Sequence, residues 1–233
     1  MFDFDMDPMF RGMWVGGYEH EIVSLMQKIL KPGDTFVDVG ANIGYISCCG
    51  ATIVGKTERI ISFEPSPIMF DHLKKVKDLN PEYNWELYQL ALGDFETIST
   101  LSASSNNIGW NTLFSNQIPS YMLSNTFCVA IKRLDDCLGE SHIKRVQLIK
   151  IDAEGYESKI IQGLSRFIDD HRVDHIILEA NLHQWKSDLG LEPIYNMIDC
   201  NEYIIRNTRH PYQVISINQI EDGQNILLSK KNI

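Results

Sequence analysis

Along the first half of the chain, apolar positions switch repeatedly between a helical and a strand-like period. From Tyr18 to Lys31, Ile22, Leu25, Met26, Ile29 and Leu30 fall on one helical face, and Lys31-Pro32-Gly33-Asp34 stops the run. Thr35 to Val39 then reads as a short buried strand, Gly40-Ala41-Asn42-Ile43-Gly44 as a tight turn, and Tyr45 to Val54 as a helix of small residues. The alternation repeats with a strand from Ile60 to Glu64, a helix from about Pro67 to Leu79, and a strand from Glu86 to Ala91 closed by Gly93-Asp94. Beyond a polar stretch from Ser102 to Ser124, strands are predicted around Thr126 to Ile131 and Val146 to Ile151, flanking Leu134 to Leu138. A helix from Tyr156 to Ile168 and a strand from His175 to Glu179 follow. Strands that alternate with helices predict an α/β fold with a parallel sheet.

The tail breaks this rhythm. Tyr203 to Arg206, Tyr212 to Ile217 and Ile226 to Ser229 are short strand-like runs separated by Asn, Pro and Gly, which predicts an antiparallel edge. Ser102-Ala103-Ser104-Ser105-Asn106-Asn107 reads as a mobile loop that could cover a bound substrate. At 233 residues the chain suits one domain over 1–233, with a lead-in helix up to residue 34 and a core from residue 35.

Charge then narrows the partners. A formal net charge of -10 opposes a nucleic-acid backbone, and Lys74, Lys75 and Lys77 lie beside Asp71 and Asp78 as an ordinary solvated helix face. Five cysteines, an odd number without C-x-x-C spacing, argue against a disulfide framework or a zinc knuckle and for a reducing compartment. The first residues, Met1-Phe2-Asp3-Phe4-Asp5, lack a signal-peptide pattern, and no apolar stretch approaches the roughly 20 residues of a membrane span. A cytoplasmic protein with no membrane partner is expected.

The chemistry gathers where strands end. Glycines in Val37-Asp38-Val39-Gly40-Ala41-Asn42-Ile43-Gly44 let the backbone leave a strand sharply and approach a ligand at a helix N-terminus. A carboxylate at Asp38 would repel a dinucleotide pyrophosphate but attract the ammonium group of S-adenosylmethionine, whose carboxylate could take exposed N–H groups of the turn. The glycines are four apart and Asn occupies position 42, so G-x-G-x-x-G is absent. Glu64 ends the second strand about twenty residues past Gly44, where such folds place an acid for ribose hydroxyls, and Pro65 closes that strand. Ala91-Leu92-Gly93-Asp94 lies at the same sheet edge and could flank an adenine ring.

With these residues the chain resembles the FkbM-type methyltransferases, a branch of the S-adenosylmethionine-dependent enzymes. The likeness is carried by Lys31-Pro32-Gly33-Asp34, the Val37 to Tyr45 turn, Phe63-Glu64-Pro65, Ala91-Leu92-Gly93-Asp94 and Leu148-Ile149-Lys150-Ile151-Asp152-Ala153-Glu154-Gly155-Tyr156-Glu157. It fades after Asn181. The resemblance implies a Rossmann-like, doubly wound, seven-stranded sheet and methyl transfer from S-adenosylmethionine, usually to a hydroxyl of a sugar, polyketide or other metabolite. Tyr18-Glu19 resembles the family's opening segment, which implies a segment closing over the cofactor, with helix capping as the competing explanation.

Methyl transfer is an in-line displacement, so the protein must chiefly hold the acceptor atom roughly 3 to 3.5 Å from the methyl carbon and take a proton from an alcohol. Acids at the carboxyl ends of the fourth and fifth strands suit that task, which singles out Asp152, Glu154 and Glu179. Asp152 would face cofactor and acceptor, Glu154 competes with helix capping, and Glu157 reads as a plain capping acid. His183 in Glu179-Ala180-Asn181-Leu182-His183 is a further candidate base. Asp152, Glu179 and Asn181 permit a hard divalent ion without requiring one, and no metal is assigned. Cys48 and Cys49 carry no assigned chemistry. A nicotinamide-dependent oxidoreductase and a non-catalytic scaffold of the same fold are the alternatives, separable by cofactor binding and by methyl transfer.

Overall fold

The computed structural model describes residues 12–13, 17–104, 111–114, 118–187, 191–200, 203–211 and 213–231. Its first half runs α1 (His20–Ile29), β1 (Phe36–Val39), α2 (Tyr45–Val54), β2 (Arg59–Phe63), α3 (Pro67–Asp78), β3 (Asn84–Tyr88) and β4 (Ala91–Leu92). Next come β5 (Thr97–Ser104), β6 (Asn111–Thr112), β7 (Leu123–Lys132), α4 (Leu134–Glu140) and β8 (Val146–Ile151). The chain continues with α5 (Glu157–Gly163), α6 (Ser165–Asp169), β9 (Val173–Ala180), α7 (Leu182–Ser187), α8 (Glu192–Cys200), β10 (Tyr203–Asn207) and β11 (Gln224–Lys230).

Seven strands form the main sheet in the order β10-β11-β9-β8-β1-β2-β3. The five from β9 to β3 are parallel, and β11 pairs antiparallel with both β9 and β10. This is the Rossmann-like arrangement with an antiparallel edge that the sequence implied. The order reverses beside β1, which lies between β2 and β8, so a crevice opens there at the carboxyl ends of the strands.

Both faces of the sheet are covered, which is why β1, Phe36-Val37-Asp38-Val39, is buried at every position. On one face Leu25, Met26, Ile46, Ala51 and Leu73 of α1 to α3 pack on Phe36, Ile60 and Leu148. On the other, Leu138, Ile160, Phe167, Trp185 and Met197 of α4 to α8 pack on Val37, Ile149 and Ile176. Alternate strand residues thus feed separate cores.

The structure revises several sequence-based elements. The single strand expected from Glu86 to Ala91 is two, because Ala91 and Leu92 leave β3 to pair with Ile131 and Lys132 of β7. The stretch from Ser102 to Ser124, expected to be a polar loop, contributes to a second sheet, ordered β4-β7-β5-β6: Ser102 to Ser104 close β5, Asn111 and Thr112 form β6, and Leu123 and Ser124 open β7. The outer half of β5 alternates exposed and half-buried positions, so it lacks the apolar run that marks a strand. Residues 105–107 of the expected mobile loop fall outside the described residues.

The helix expected from Tyr156 to Ile168 breaks at Leu164. Asp135 Oδ2 and Oδ1 accept the N–H groups of Arg166 and Phe167, each at 3.1 Å, and so cap a new helix there. In the tail, α7 and α8 were not anticipated. The run from Tyr212 to Ile217 contributes one bridge, Val214 to Arg206, before a 3₁₀ turn at Ile217–Gln219, and Tyr212 itself lies outside the described residues. No described helix is long and apolar enough to cross a membrane.

Candidate active site

The crevice beside β1 is a cavity walled by three successive strand exits. Gly40, Ala41, Asn42 and Ile43 leave β1, Glu64 and Pro65 leave β2, and Asp152, Ala153 and Glu154 leave β8. Ala91 and Leu92 of β4, with Leu101 of β5, Asn111 of β6 and Leu113 just after it, close one side. Tyr18 and Glu19, ahead of α1, close another.

The glycine turn is fixed by steric need. Gly40 has φ 76, and a Cβ there would meet the Asp152 carbonyl oxygen at 1.8 Å, so only glycine lets the two exits lie side by side. Asn42 also adopts a left-handed φ of 52. Its N–H donates to Glu64 Oε2 at 2.8 Å, and its Oδ1 accepts the Ile43 N–H at 2.8 Å. The N–H groups of Gly40 and Ala41 bond to the Phe63 carbonyl, and that of Gly44 to the Ala41 carbonyl. All five N–H groups of the turn are therefore engaged within the protein. This corrects the expectation that they stand open to a ligand carboxylate; Tyr45 and Ile46, whose N–H groups open α2, line the cavity.

Glu64 is buried at the cavity wall and accepts one N–H on each oxygen, from Asn42 and from Ser66, each at 2.8 Å. A carboxylate has about four acceptor positions, so both oxygens keep capacity for a ligand's hydroxyls. Burial pushes its carboxyl up to about 7, against the pull of those two N–H groups.

Asp38, by contrast, is fully buried beneath the floor and does not line the cavity. Its Oδ2 accepts the Ser47 hydroxyl at 2.5 Å, Ser47 shares a 2.8 Å bond with the Ser62 hydroxyl, and Trp85 Nε1 donates to Ser62 at 2.7 Å. Oδ1 has no hydrogen-bond partner among the described residues.

The positive charge facing Asp38 comes from Lys150, which the sequence reading passed over inside an apolar strand. Lys150 pairs with Asp38 across β8 and β1 and so shares its face of the sheet. Its side chain is 6% exposed, with Nζ 2.9 Å from Asp152 Oδ2 and 3.8 Å from Glu19 Oε2. Burial alone would depress this ammonium, but Asp152, Glu19 and Asp38 outweigh it and hold it well above its usual range. A lysine two residues before an acid in Leu148-Ile149-Lys150-Ile151-Asp152 was the available signal, since period-two spacing puts both on one face. Glu19 makes no side-chain cap to α1, which removes the capping explanation for Tyr18-Glu19.

The acids after β8 are set by Glu157. This buried carboxylate takes the N–H groups of Ala153 and Gly155 on Oε1, each at 3.0 Å, and Asn181 Nδ2 at 3.1 Å, while Oε2 takes Trp185 Nε1 at 3.0 Å. It thereby folds the Ala153 to Gly155 loop so that Glu154, at a left-handed φ of 49, lines the cavity. Burial, with Asp152, Glu179 and Glu157 nearby, pushes the Glu154 carboxyl up to about 8. Glu179 lies behind the lining, and burial followed by Asp152 pushes it up to about 7. His183 is not brought to the cavity: its side chain is 86% exposed, 3.6 Å from Asp222. Gly44 caps α2 outside the lining. Among the described residues no group of three or more His, Cys, Asp or Glu is arranged to hold a metal ion.

Comparison with known proteins places this geometry. A "2-O-methyltransferase NoeI" of Sinorhizobium fredii is 24% identical over 212 residues, covering 81% of this chain and 84% of that one. "Methyltransferase 1" of Beauveria bassiana is 30% identical over 166 residues, 64% of this chain and 65% of its own length. "Hexuronic acid methyltransferase AglP" of Haloferax volcanii is 24% identical over 165 residues, 70% of this chain and 62% of its own. The last two are thus matched over less than two thirds of their lengths. A solved structure of methyltransferase FkbM from Methylobacillus flagellatus shares the fold at TM-score 0.54 and 16% identity, covering 89% of this chain and 50% of that one. The methyltransferase FkbM domain model matches residues 38–205, which span the glycine turn, Glu64, Asp152 and Glu154, and the chain belongs to that family.

Proposed function

We propose that the chain transfers a methyl group from S-adenosylmethionine to a hydroxyl of a sugar or comparable small metabolite. One observation carries this: a single cavity at the reversal of strand order brings together the glycine turn, Glu64, Ala91-Leu92 and the Asp152-Ala153-Glu154 loop. The donor set fits the cofactor. Glu64 keeps acceptor capacity for ribose hydroxyls, and Pro65, Ala91 and Leu92 offer apolar flanks for an adenine. Asp152 and Glu19 would meet the ammonium, and the N–H groups opening α2 the carboxylate. The cofactor supplies the electrophilic methyl carbon.

In this reading Asp38 acts from below, holding Lys150 in place between Glu19 and Asp152, and Gly40, Ala41, Asn42 and Gly44 shape the turn. Glu154 is the base for the acceptor hydroxyl, because it lines the cavity and its carboxyl, held near 8, sits close to working pH. Glu179 supports it through the shared acid cluster. Two relatives, a hexuronic acid methyltransferase and a 2-O-methyltransferase, favour a carbohydrate hydroxyl as acceptor. A nicotinamide cofactor is disfavoured, since its pyrophosphate would meet Glu19, Asp152 and Glu154 with Lys150 already neutralised.

The test pairs calorimetric titration of S-adenosylhomocysteine and NADH with labelled methyl transfer to a panel of sugars. S-adenosylhomocysteine should bind and NADH should not. Glu154→Gln should keep that affinity and lose about 10²–10⁴-fold in transfer rate. Binding of NADH alone, or an unimpaired Glu154→Gln enzyme, would refute the assignment.

A further inference from the structure

A second groove opens on the same sheet edge, and its lining is almost wholly polar: Asn207, Arg209, Gln213, Gln219 and Gln224, with Ile215 as an apolar member. It adjoins the cavity described above through α1. Glu19, just ahead of that helix, lines the cavity, whereas Glu21 in its first turn lines the groove. The sheet connects them as well. Ile151 pairs with Leu178 and Asn225 with Glu179, so Asp152, Glu179 and Asn225 continue one row along the carboxyl edge, and Thr208 donates to the Asn225 carbonyl at 3.0 Å. From β8 to β11 this row spans two strand spacings, about 10 Å.

Three amides in the groove share one arrangement. Asn207 Oδ1 accepts the N–H groups of Arg209 and His210 at 2.8 and 3.1 Å. Gln219 Oε1 accepts the Ser216 N–H at 2.8 Å and its hydroxyl at 3.0 Å, and Gln224 Oε1 accepts the Glu221 N–H at 3.0 Å. These donors fix which end of each amide is the carbonyl. Each NH₂ group is left without a partner among the described residues. The groove therefore offers three neutral donors beside the acceptor carboxylates of Glu221 and Asp222. Apart from Arg209, whose Nε is held by Glu21 Oε2 at 2.8 Å, its charge is negative.

A lining that combines amide donors with carboxylate acceptors, little apolar surface and a negative balance suits a neutral polyhydroxyl chain and opposes an acidic one. We propose that this groove binds the sugar units next to the one methylated, so that the acceptor is a neutral oligosaccharide lying from Asp152 toward β11. The inference rests on the methyltransferase reading for its link to the cavity.

Gln219→Glu and Gln224→Glu test it, because each keeps an oxygen for its loop donor and replaces only the free NH₂. The full chain and the double variant would be compared on an array of short neutral oligosaccharides, with thermal midpoints to show that the variant folds. Capture of the unaltered chain, weakened about tenfold or more in the variant, is the expected result. No capture of the unaltered chain, or equal capture of the variant, overturns the proposal. A parallel titration of the unaltered chain with S-adenosylhomocysteine separates the two readings. Cofactor binding without glycan capture removes the groove alone, and glycan capture without cofactor binding removes methyl transfer alone.

Discussion

Replacing Glu157 with glutamine tests how firmly the loop that carries Glu154 is held. Four donors converge on this buried carboxylate, three on Oε1 and one on Oε2. The least costly glutamine orientation keeps oxygen at the three-donor position and sets its NH₂ group against Trp185 Nε1. One charge-assisted bond is lost and two donors are opposed, worth about 1.5–3 kcal/mol. The three remaining bonds weaken because a neutral acceptor is roughly half as strong as a charged one, which adds about 1 kcal/mol. A loss of about 3 kcal/mol corresponds to a fall of roughly 6–12 °C in Tm for a chain of this size. Urea denaturation at pH 7, followed by circular dichroism, measures it directly. Methyl transfer should fall further than stability alone requires, since Glu154 then loses its fixed aim, while S-adenosylhomocysteine affinity holds. A shift under about 0.5 kcal/mol would show that the four contacts do not act as a buried, charge-assisted set.

Glu64→Gln leaves an acceptor for Asn42 or Ser66 but not both, and S-adenosylhomocysteine should bind about 1–3 kcal/mol more weakly by calorimetry; equal affinity removes Glu64 from the ribose site. Lys150→Met strips the counter-charge from Asp38 and Asp152 and should cost about 3–5 kcal/mol in chemical denaturation, with a smaller loss in Lys150→Arg. Glu154, with its carboxyl near 8 against a usual value near 4.5, keeps its proton in the folded chain after the unfolded chain has lost it. Its contribution is thus complete below about pH 4.5 and disappears as pH rises through 8. The stability difference between wild type and Glu154→Gln should accordingly fall from pH 5 to 8, and a rise across that window contradicts the assignment.

The first βαβ unit was legible because its determinants are local. The helix from Tyr45 to Val54 matches the observed α2, and β1 starts one residue after the expected position. The second sheet was not legible, because the outer half of β5 alternates exposed and half-buried positions and Ala91-Leu92 carries no mark of which sheet it joins. The strand-exit acids were found from their places at the ends of predicted strands, and of these Glu64, Asp152 and Glu154 line the cavity while Glu179 does not. What spacing could not show is occupancy. That the turn's N–H groups are already spent depends on Phe63 and Glu64 arriving from β2, and that His183 points to Asp222 depends on where α7 turns. Lys150 was hidden by its company in an apolar strand: its spacing from Asp152 put both on one face, but that Asp38 lies across from it depends on the pairing of β8 with β1.

The buried chain from Trp85 through Ser62 and Ser47 to Asp38 also bears on how the polypeptide finds its register while folding. It links β3, β2, α2 and β1, four neighbouring segments of the chain. Ser62 lies directly across from Asp38, and a slip of one residue between β1 and β2 would bring Ile61 or Phe63 to that position instead. The carboxylate and indole N–H would then be sealed among hydrocarbons without partners, a penalty that a misaligned sheet cannot recover elsewhere. The acid beneath the crevice thus acts as a proofreading device for strand alignment, so that a chain able to build the crevice is one whose first three strands have already docked in step.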